Sequence, residues 1–334
     1  MTISREVRLV SRPVGTPVPG DFEMASVDLP DPGPGEVQVR NRWMAVDPAM
    51  RGRMSDARSY IPPFVLGAAM EGPAIGEVVA SNDPAFAPGD IVFSRLGWRE
   101  AFNAPASALK SRDCSILPQS AYLGFAGMTG LTAYAGLFEV AALKPGDVVF
   151  VSAASGGVGS NVCQFAKLRG HKVIGAAGGA EKIAYLKDVL GVDEVIDYKA
   201  EPSLTKALAR AAPEGIDVYF ENVGGEHLQA ALAIANPKAR FALCGMISQY
   251  NATEPNAAPR NLMQAVVKSL RLQGFIALDY HHLEPALLRD VTSWYQAGSL
   301  AQAETVYEGV DHALDGFFGL FSGANLGRTL VRLG

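Results

Sequence analysis

A glycine-rich turn between an apolar strand and a helix constrains this chain more than any other feature. Val148-Val-Phe-Val151 is a continuous β-branched and aromatic run, the pattern of a strand buried on both faces. Ala153-Ala-Ser-Gly-Gly-Val-Gly159 follows at once, and a helical stretch runs from about Gly157 to Arg169 before Gly170 ends it. The spacing is A-x-G-x-x-G from Ala154, with alanine where the commoner dinucleotide fingerprint has its first glycine. Glycine at 156 lets the backbone approach a pyrophosphate, and Gly159 permits close helix–strand packing. The helix start, with Gly157 and Val158, offers N–H groups and a positive dipole end to phosphates. A lone glycine pattern is as often structural as functional, but inside a complete strand–turn–helix–strand unit it predicts a dinucleotide site.

The elements around the turn extend this reading. Strands are expected at Lys172–Ala176, Glu194–Tyr198, Ile216–Phe220, Arg240–Cys244 and Leu272–Ala277, with a helix near Ala180–Leu190 stopped by Gly191. Strands alternating with helices of this length predict a parallel sheet wound by right-handed crossovers. The first third differs: short runs at Glu36–Val39, Glu77–Ala80 and Asp90–Ser94 lie between Pro/Gly turns and predict a small barrel or sandwich. Arg328-Thr-Leu-Val-Arg332 is strand-like and is expected to return to that first domain. The fold class is therefore α/β, a small barrel or sandwich domain plus a doubly wound Rossmann sheet. The boundaries are placed at 1–126 with 302–334 for the former and 127–301 for the latter.

Bulk properties exclude several alternatives. A net charge of -5 argues against a nucleic-acid partner, and 49% hydrophobic with 19% charged residues carries no disordered signature. Cys114, Cys163 and Cys244 are odd in number and far apart, which fits reduced thiols in the cytoplasm better than disulfides. Arg5, Glu6, Arg8 and Arg12 interrupt any secretory signal. The uncharged stretch Ser115–Phe138 is long enough to span a bilayer, but its glycines and alanines favour a buried helix at a domain junction over a membrane segment. None of the five histidines, His171, His227, His281, His282 and His312, has a cysteine at ligand spacing, so no catalytic zinc is expected. Hydride chemistry would then need a hydroxyl or backbone N–H to polarise the substrate oxygen.

The second Rossmann strand discriminates between nicotinamides. An NAD site usually has an Asp or Glu about 20 residues beyond the glycine motif. Here the strand ends Ala176-Ala-Gly178-Gly179, with Lys182 in the next helix and Tyr198 closing the third strand. The missing acid leaves room for a 2′-phosphate, and NADPH is the expected cofactor. A solvated surface lysine is the plain alternative for Lys182.

Seven blocks, in order along nearly the whole chain, resemble the leukotriene B4 12-hydroxydehydrogenase and prostaglandin reductase family. This is a zinc-free branch of the medium-chain dehydrogenases/reductases that includes alkenal and curcumin reductases. The blocks are Asp47-Pro-Ala-Met-Arg-Gly-Arg-Met54, Gly127-Met-Thr-Gly-Leu-Thr-Ala-Tyr134, Ala153–Gly159, Gly178-Gly-Ala-Glu-Lys182, Tyr219-Phe-Glu-Asn-Val-Gly-Gly225, Cys244-Gly-Met-Ile-Ser-Gln-Tyr-Asn251 and Gly323-Ala-Asn-Leu-Gly-Arg328. The resemblance implies a GroES-like barrel, NADPH in the interdomain cleft and a homodimer. By position it implies that Lys182 and Tyr198 meet the 2′-phosphate and that Asn222 lies near the cofactor. It further implies that Cys244, Gly245, Ile247, Phe275 and Ala277 flank the nicotinamide and that Asn325 reaches it. Ala49 stands where the family often has tyrosine, and Thr129 where it often has proline; the first change reshapes the pocket wall and the second only the local backbone.

The same resemblance implies NADPH-dependent reduction of the C=C bond of α,β-unsaturated ketones and aldehydes, by hydride transfer to the β-carbon. The enolate needs a donor where its charge develops, and Tyr250 is the candidate. Met50, Tyr60 and Met128 are candidate pocket residues, with core packing the alternative for the methionines and a barrel-capping turn for Tyr60. Two other readings are a quinone oxidoreductase and a catalytically silent NADPH-binding protein.

Overall fold

Alternating patterns in the first third build short antiparallel strands. The computed structural model describes residues 2–254 and 258–334, which divide into two units, Met1–Leu123 with Glu304–Gly334, and Gly124–Ala303. In the first unit β1 (Thr2–Leu9) pairs with β2 (Phe22–Leu29) along its whole length. A second sheet centres on β3 (Glu36–Ala45), which pairs with β4 (Ala74–Ser81) and β6 (Ala101–Pro105); β5 (Ile91–Ser94) and β7 (Lys110–Ser111) extend it beyond β4. β3 outruns the expected Glu36–Val39 because buried positions continue through Asn41, Met44 and Ala45. Asn41 is accommodated there because its amide donates to the carbonyls of Leu96 and Arg99, both at 2.9 Å. Helix α1 (Met50–Arg53) follows β3.

The uncharged stretch is not one helix. It comprises a 3₁₀ turn at Gln119–Leu123, helix α2 (Met128–Ala135) and a π turn at Gly136–Val140, with the unit boundary after Leu123. The backbone of Phe125 crosses α2 so closely at Gly130 that a Cβ there would overlap the Phe125 carbonyl. Glycines in this stretch thus serve packing. Among the described residues no helix is long and apolar enough to cross a membrane.

The second unit is a six-stranded parallel sheet. β8 (Val148–Val151), β9 (Lys172–Ala177), β10 (Glu194–Asp197), β11 (Ile216–Glu221), β12 (Ala235–Leu243) and β13 (Arg271–Gly274) lie in the order β10-β9-β8-β11-β12-β13. The order reverses between β8 and β11, and in such sheets the crevice beyond the strands' carboxyl ends at the reversal holds ligands. Helices α3 (Gly159–Leu168), α4 (Ala180–Ala184), α5 (Leu204–Ala211) and α6 (Gly225–Ile234) follow successive strands. In the core Tyr219 stacks on Phe150, with centroids 5.0 Å apart, and meets Phe241 edge-on at 5.2 Å, the three rings coming from neighbouring strands. Three expected elements of this unit differ in extent by more than two residues. The Ala180–Leu190 helix changes after α4 to a π turn, Tyr185–Val189, closed by Leu190 N–H to the Tyr185 carbonyl. β12 begins five residues before Arg240, whereas β13 stops at Gly274 and Ala277 opens a 3₁₀ helix.

The chain then returns to the first unit as β14 (Glu304–Glu308) and β15 (Arg328–Arg332), parallel to each other, with β15 antiparallel to β3. Between them, Phe317 packs edge-on against Trp98 in the unit's core.

Candidate cofactor and substrate site

The turn after β8 is shaped by what cannot fit in it. A Cβ on Gly159 would lie 2.9 Å from both the Ala153 carbonyl carbon and Ala154 Cα, closer than packed atoms approach. Ala153 itself adopts φ 47°, a left-handed conformation unusual for alanine. Ala154 is fully buried and its N–H donates to the Ala176 carbonyl at 3.0 Å, fastening the turn onto β9. Gly156 accepts from Ser160 N–H, Gly157 accepts from the Asn161 amide, and Val158 caps the start of α3. Of the opening N–H groups of α3, those of Ser160 and Val162 already donate to the Gly156 and Val158 carbonyls, and the helix start offers the others. With no side chain in the way at 156, 157 or 159, the turn fits a pyrophosphate.

The end of β9 bears no carboxylate. Gly179, at φ 100°, caps α4, and Lys182 is the third residue of that helix. Tyr198 follows β10 directly, its N–H donating to the Ala177 carbonyl at 3.1 Å, so its backbone lies beside Gly178. Its ring meets His227 of α6 edge-on, with centroids 5.0 Å apart. Burial, then the charge of Asp197, pushes the Tyr198 phenol upward, which keeps it a proton donor. Burial, then the charge of Lys199, draws the Lys182 ammonium downward, while Glu181 opposes both. Two residues here escaped the sequence reading. Lys199, adjacent to Tyr198 in the chain, lays its stem along Gly178, where a Cβ would be 2.9 Å from its Cδ and Cε. His227, considered in the sequence only as a metal ligand, is buried, and burial lowers its pKa to about 4.

The third part gathers at the ends of β8, β11 and β12. Asn222 donates from Nδ2 to the Ser152 carbonyl at 2.7 Å, and its N–H donates to Ser152 Oγ at 2.8 Å. Ser152 Oγ in turn donates to Glu221 Oε1 at 2.9 Å, an oxygen that also accepts from Val223 N–H at 2.7 Å. Glu221 is fully buried, yet nothing in its local sequence signals that. The N–H groups of Cys244 and Gly245 donate to the Glu221 carbonyl, and that of Ile247 to the Asn222 carbonyl, at 3.0 to 3.1 Å. The loop from Cys244 to Tyr250 thus hangs from the end of β11. Gly245 leaves room for Tyr250: a Cβ at 245 would lie 2.8 Å from the phenolic oxygen. Burial, then the charge of Glu221, pushes the Cys244 thiol up to about 12, so it serves as an inert neutral group. Phe275 packs edge-on against Phe220 at 6.1 Å, and Ala277 lies just beyond it.

The remaining candidates are divided between the two units. Met128 opens α2 in the second unit. In the first unit Met50 is 5% exposed in the core beside Met54, Met70 and Trp98, whereas Tyr60 is 58% exposed. Asn325 donates to the Gly327 carbonyl at 3.3 Å. Ala49 is exposed at the start of α1, and Thr129 turns its hydroxyl onto the Gly124 carbonyl at 2.9 Å. The first and last of the sequence blocks meet here, because Arg328 forms a two-pronged ion pair with Asp47.

Among the described residues no three His, Cys, Asp or Glu side chains come together to hold a metal ion. That matters because one of two matching family models is that of the zinc-binding dehydrogenases, over residues 157–293; the other, the N-terminal domain of oxidoreductase, matches residues 5–111. An NADPH-dependent curcumin reductase of Escherichia coli is 40% identical over 97% of this chain and 95% of its own. An NADP-dependent 2-alkenal reductase of Nicotiana tabacum is 41% identical over 98% and 97%. The crystal structure of CurA in complex with NADPH from Vibrio vulnificus superposes with a TM-score of 0.94, at 40% identity over 99% of both chains.

Proposed function

Because the chain belongs to the zinc-free medium-chain dehydrogenases/reductases, in the family of the NADP-dependent curcumin, alkenal and prostaglandin reductases, we propose that it uses NADPH to reduce the C=C bond of α,β-unsaturated ketones and aldehydes. Bound NADPH supplies the hydride that the substrate's β-carbon receives. The turn Ala154–Gly159 receives the pyrophosphate, and Gly178, Lys182 and Tyr198 receive the 2′-phosphate. Asn222, Cys244, Gly245, Ile247, Phe275 and Ala277 would hold the nicotinamide end, and the family resemblance also assigns Asn325 to the cofactor. Met50, Tyr60 and Met128 remain the residues assigned to the substrate. The family also suggests a homodimer, and the spacing of the cysteines a cytoplasmic setting.

The observation that carries the chemical reading is the loop from Cys244 to Tyr250. Its first residues are fixed by two backbone bonds to Glu221 at the end of β11 and one to Asn222 beside it, and the glycine at 245 leaves the Tyr250 hydroxyl its place. A donor held in advance where negative charge will develop stabilises that charge without reorganising. Tyr250 is therefore assigned to the carbonyl oxygen as the enolate forms, as a hydrogen-bond or proton donor. With no zinc ligand set among the described residues, the oxygen is polarised by this hydroxyl.

The test is a panel of enones, enals, curcuminoids and quinones with NADPH, with the reduced bond located in the product. Tyr250→Phe should lower kcat on an enone ~10²–10³-fold, the usual cost of one such donor, with NADPH affinity little changed. A loss below tenfold removes Tyr250 from the mechanism. Fast naphthoquinone turnover with slow enone turnover assigns the protein to quinone reduction instead.

A further inference from the structure

The 2′-phosphate end of the site holds a second cation beyond the lysine of the glycine–glycine–helix block. We infer that Lys199 is a specificity-determining residue for NADP(H), binding the 2′-phosphate jointly with Lys182. The inference rests on the reading of this site as an NADPH site and goes beyond it by adding a residue that selects between the two nicotinamides.

Three observations place it there. The Lys199 stem runs along Gly178, so that a Cβ at 178 would come within 2.9 Å of Cδ and Cε; the absence of a side chain at 178 is what admits the lysine. The backbone of Lys199 is fixed, because its N–H donates to Asp197 Oδ1 at 3.0 Å, and the same oxygen accepts from Gly179 N–H at 3.2 Å. One carboxylate thus ties the residue before α4 to the residue after Tyr198. Its charge is spent partly on those two N–H groups. Among the described residues the Lys199 ammonium itself has no ion-pair or hydrogen-bond partner.

Electrostatics agree with the geometry. Burial first, and then the charge of Lys199, draw the Lys182 ammonium downward, so the two lysines interact electrostatically. Like charges at close range oppose each other until a dianion lies between them, and a 2′-phosphate is such a dianion. Glu181 and Asp197 are the acids nearby; Glu181 favours charged Lys182 and Asp197 favours the neutral Tyr198 phenol. Neither sits at the end of β9, where an NAD site would place its acid.

The experiment measures binding, with no turnover required. NADPH, NADH, 2′,5′-ADP and 5′-AMP are titrated by calorimetry or nucleotide fluorescence into wild type, Lys199→Met, Lys199→Arg and Lys182→Met. Methionine keeps the apolar stem over Gly178 and removes only the charge. Lys199→Met should weaken NADPH and 2′,5′-ADP about tenfold, the order expected for one charge-assisted contact, and move NADH and 5′-AMP by less than twofold. Lys199→Arg should restore most of the loss, and raised salt should narrow the difference between wild type and Lys199→Met. If Lys199→Met binds 2′,5′-ADP like wild type while Lys182→Met is weakened, the inference is overturned and the NADPH site stands. If neither variant is weakened, or wild type binds NADH as tightly as NADPH, the reading of the site fails and takes the inference with it.

Discussion

His227 has a pKa of about 4 in the folded chain against 6.5 for the free side chain, because burial disfavours its charged form. The unfolded chain therefore takes up a proton first as pH falls. The stabilisation is complete above the unfolded value and is lost as pH drops through 6.5 toward about 4. The loss amounts to roughly 3 kcal/mol at most. Urea unfolding at pH 7 and pH 4.5 should show wild type losing more stability than His227→Gln, and equal losses would show that the imidazole is hydrated. The neutral ring matters because it packs edge-on with the ring of Tyr198. Such contacts explain what could be read from the chain and what could not. Lys182 and Tyr198 stood out because they follow strands whose ends were recognisable and because an expected acid was missing. The His227–Tyr198 contact joins separate elements, and the burial of Glu221 depends on Ser152, 69 positions away; neither leaves a local pattern.

At the scale of elements, β8, its turn and α3 were legible because each has its own signal: an unbroken apolar run, spaced glycines and a helical stretch stopped by glycine. Element limits were less so. The strand at Ile216 extends through the buried Glu221, whose Oε1 accepts from Ser152 Oγ and Val223 N–H while its buried Oε2 has no hydrogen-bond partner among the described residues, a burial that hydropathy alone does not foretell. The uncharged stretch read as one helix, but backbone crossings such as Phe125 over Gly130 are tertiary facts. The turn makes the sharpest prediction at this scale. Gly159→Ala puts a methyl group 2.9 Å from Ala154 Cα, backbone that is pinned to β9, so that the helix start must move. Overpacking of this kind costs about 1–3 kcal/mol, and displaced N–H groups no longer point at the pyrophosphate. NADPH affinity should fall more than tenfold while far-UV circular dichroism keeps its wild-type shape. Gly156→Ala, whose Cβ would lie 3.2 Å from the Ala153 carbonyl, should be milder in stability. Equal NADPH affinity in Gly159→Ala and wild type would remove the turn from the cofactor site.

For the whole molecule, the decisive feature is a first unit made from both ends of the chain. The return of the tail was foreseeable from a strand-like sequence at Arg328–Arg332, but its anchor was not, since the contact joins residues 281 positions apart. Arg328 is 7% exposed; it pairs with Asp47 and donates to the Leu123 carbonyl at 2.6 Å and the Val46 carbonyl at 3.3 Å. One guanidinium thereby fastens β15 to the segment after β3 and to the last residues before the second unit. Removing it leaves a half-buried carboxylate and two carbonyls without their donor. Arg328→Met should therefore cost about 3 kcal/mol, read as a lower urea midpoint for the first unit. Asp47→Asn combined with Arg328→Met should recover part of that loss, because the stranded charge is gone. The residues assigned to the pyrophosphate and 2′-phosphate all lie between Gly124 and Ala303, so calorimetric affinity for 2′,5′-ADP should stay within twofold of wild type in both variants. Unchanged stability in Arg328→Met would mean that strand pairing alone holds the tail. A large loss of 2′,5′-ADP affinity would mean that the second unit depends on the first for its fold.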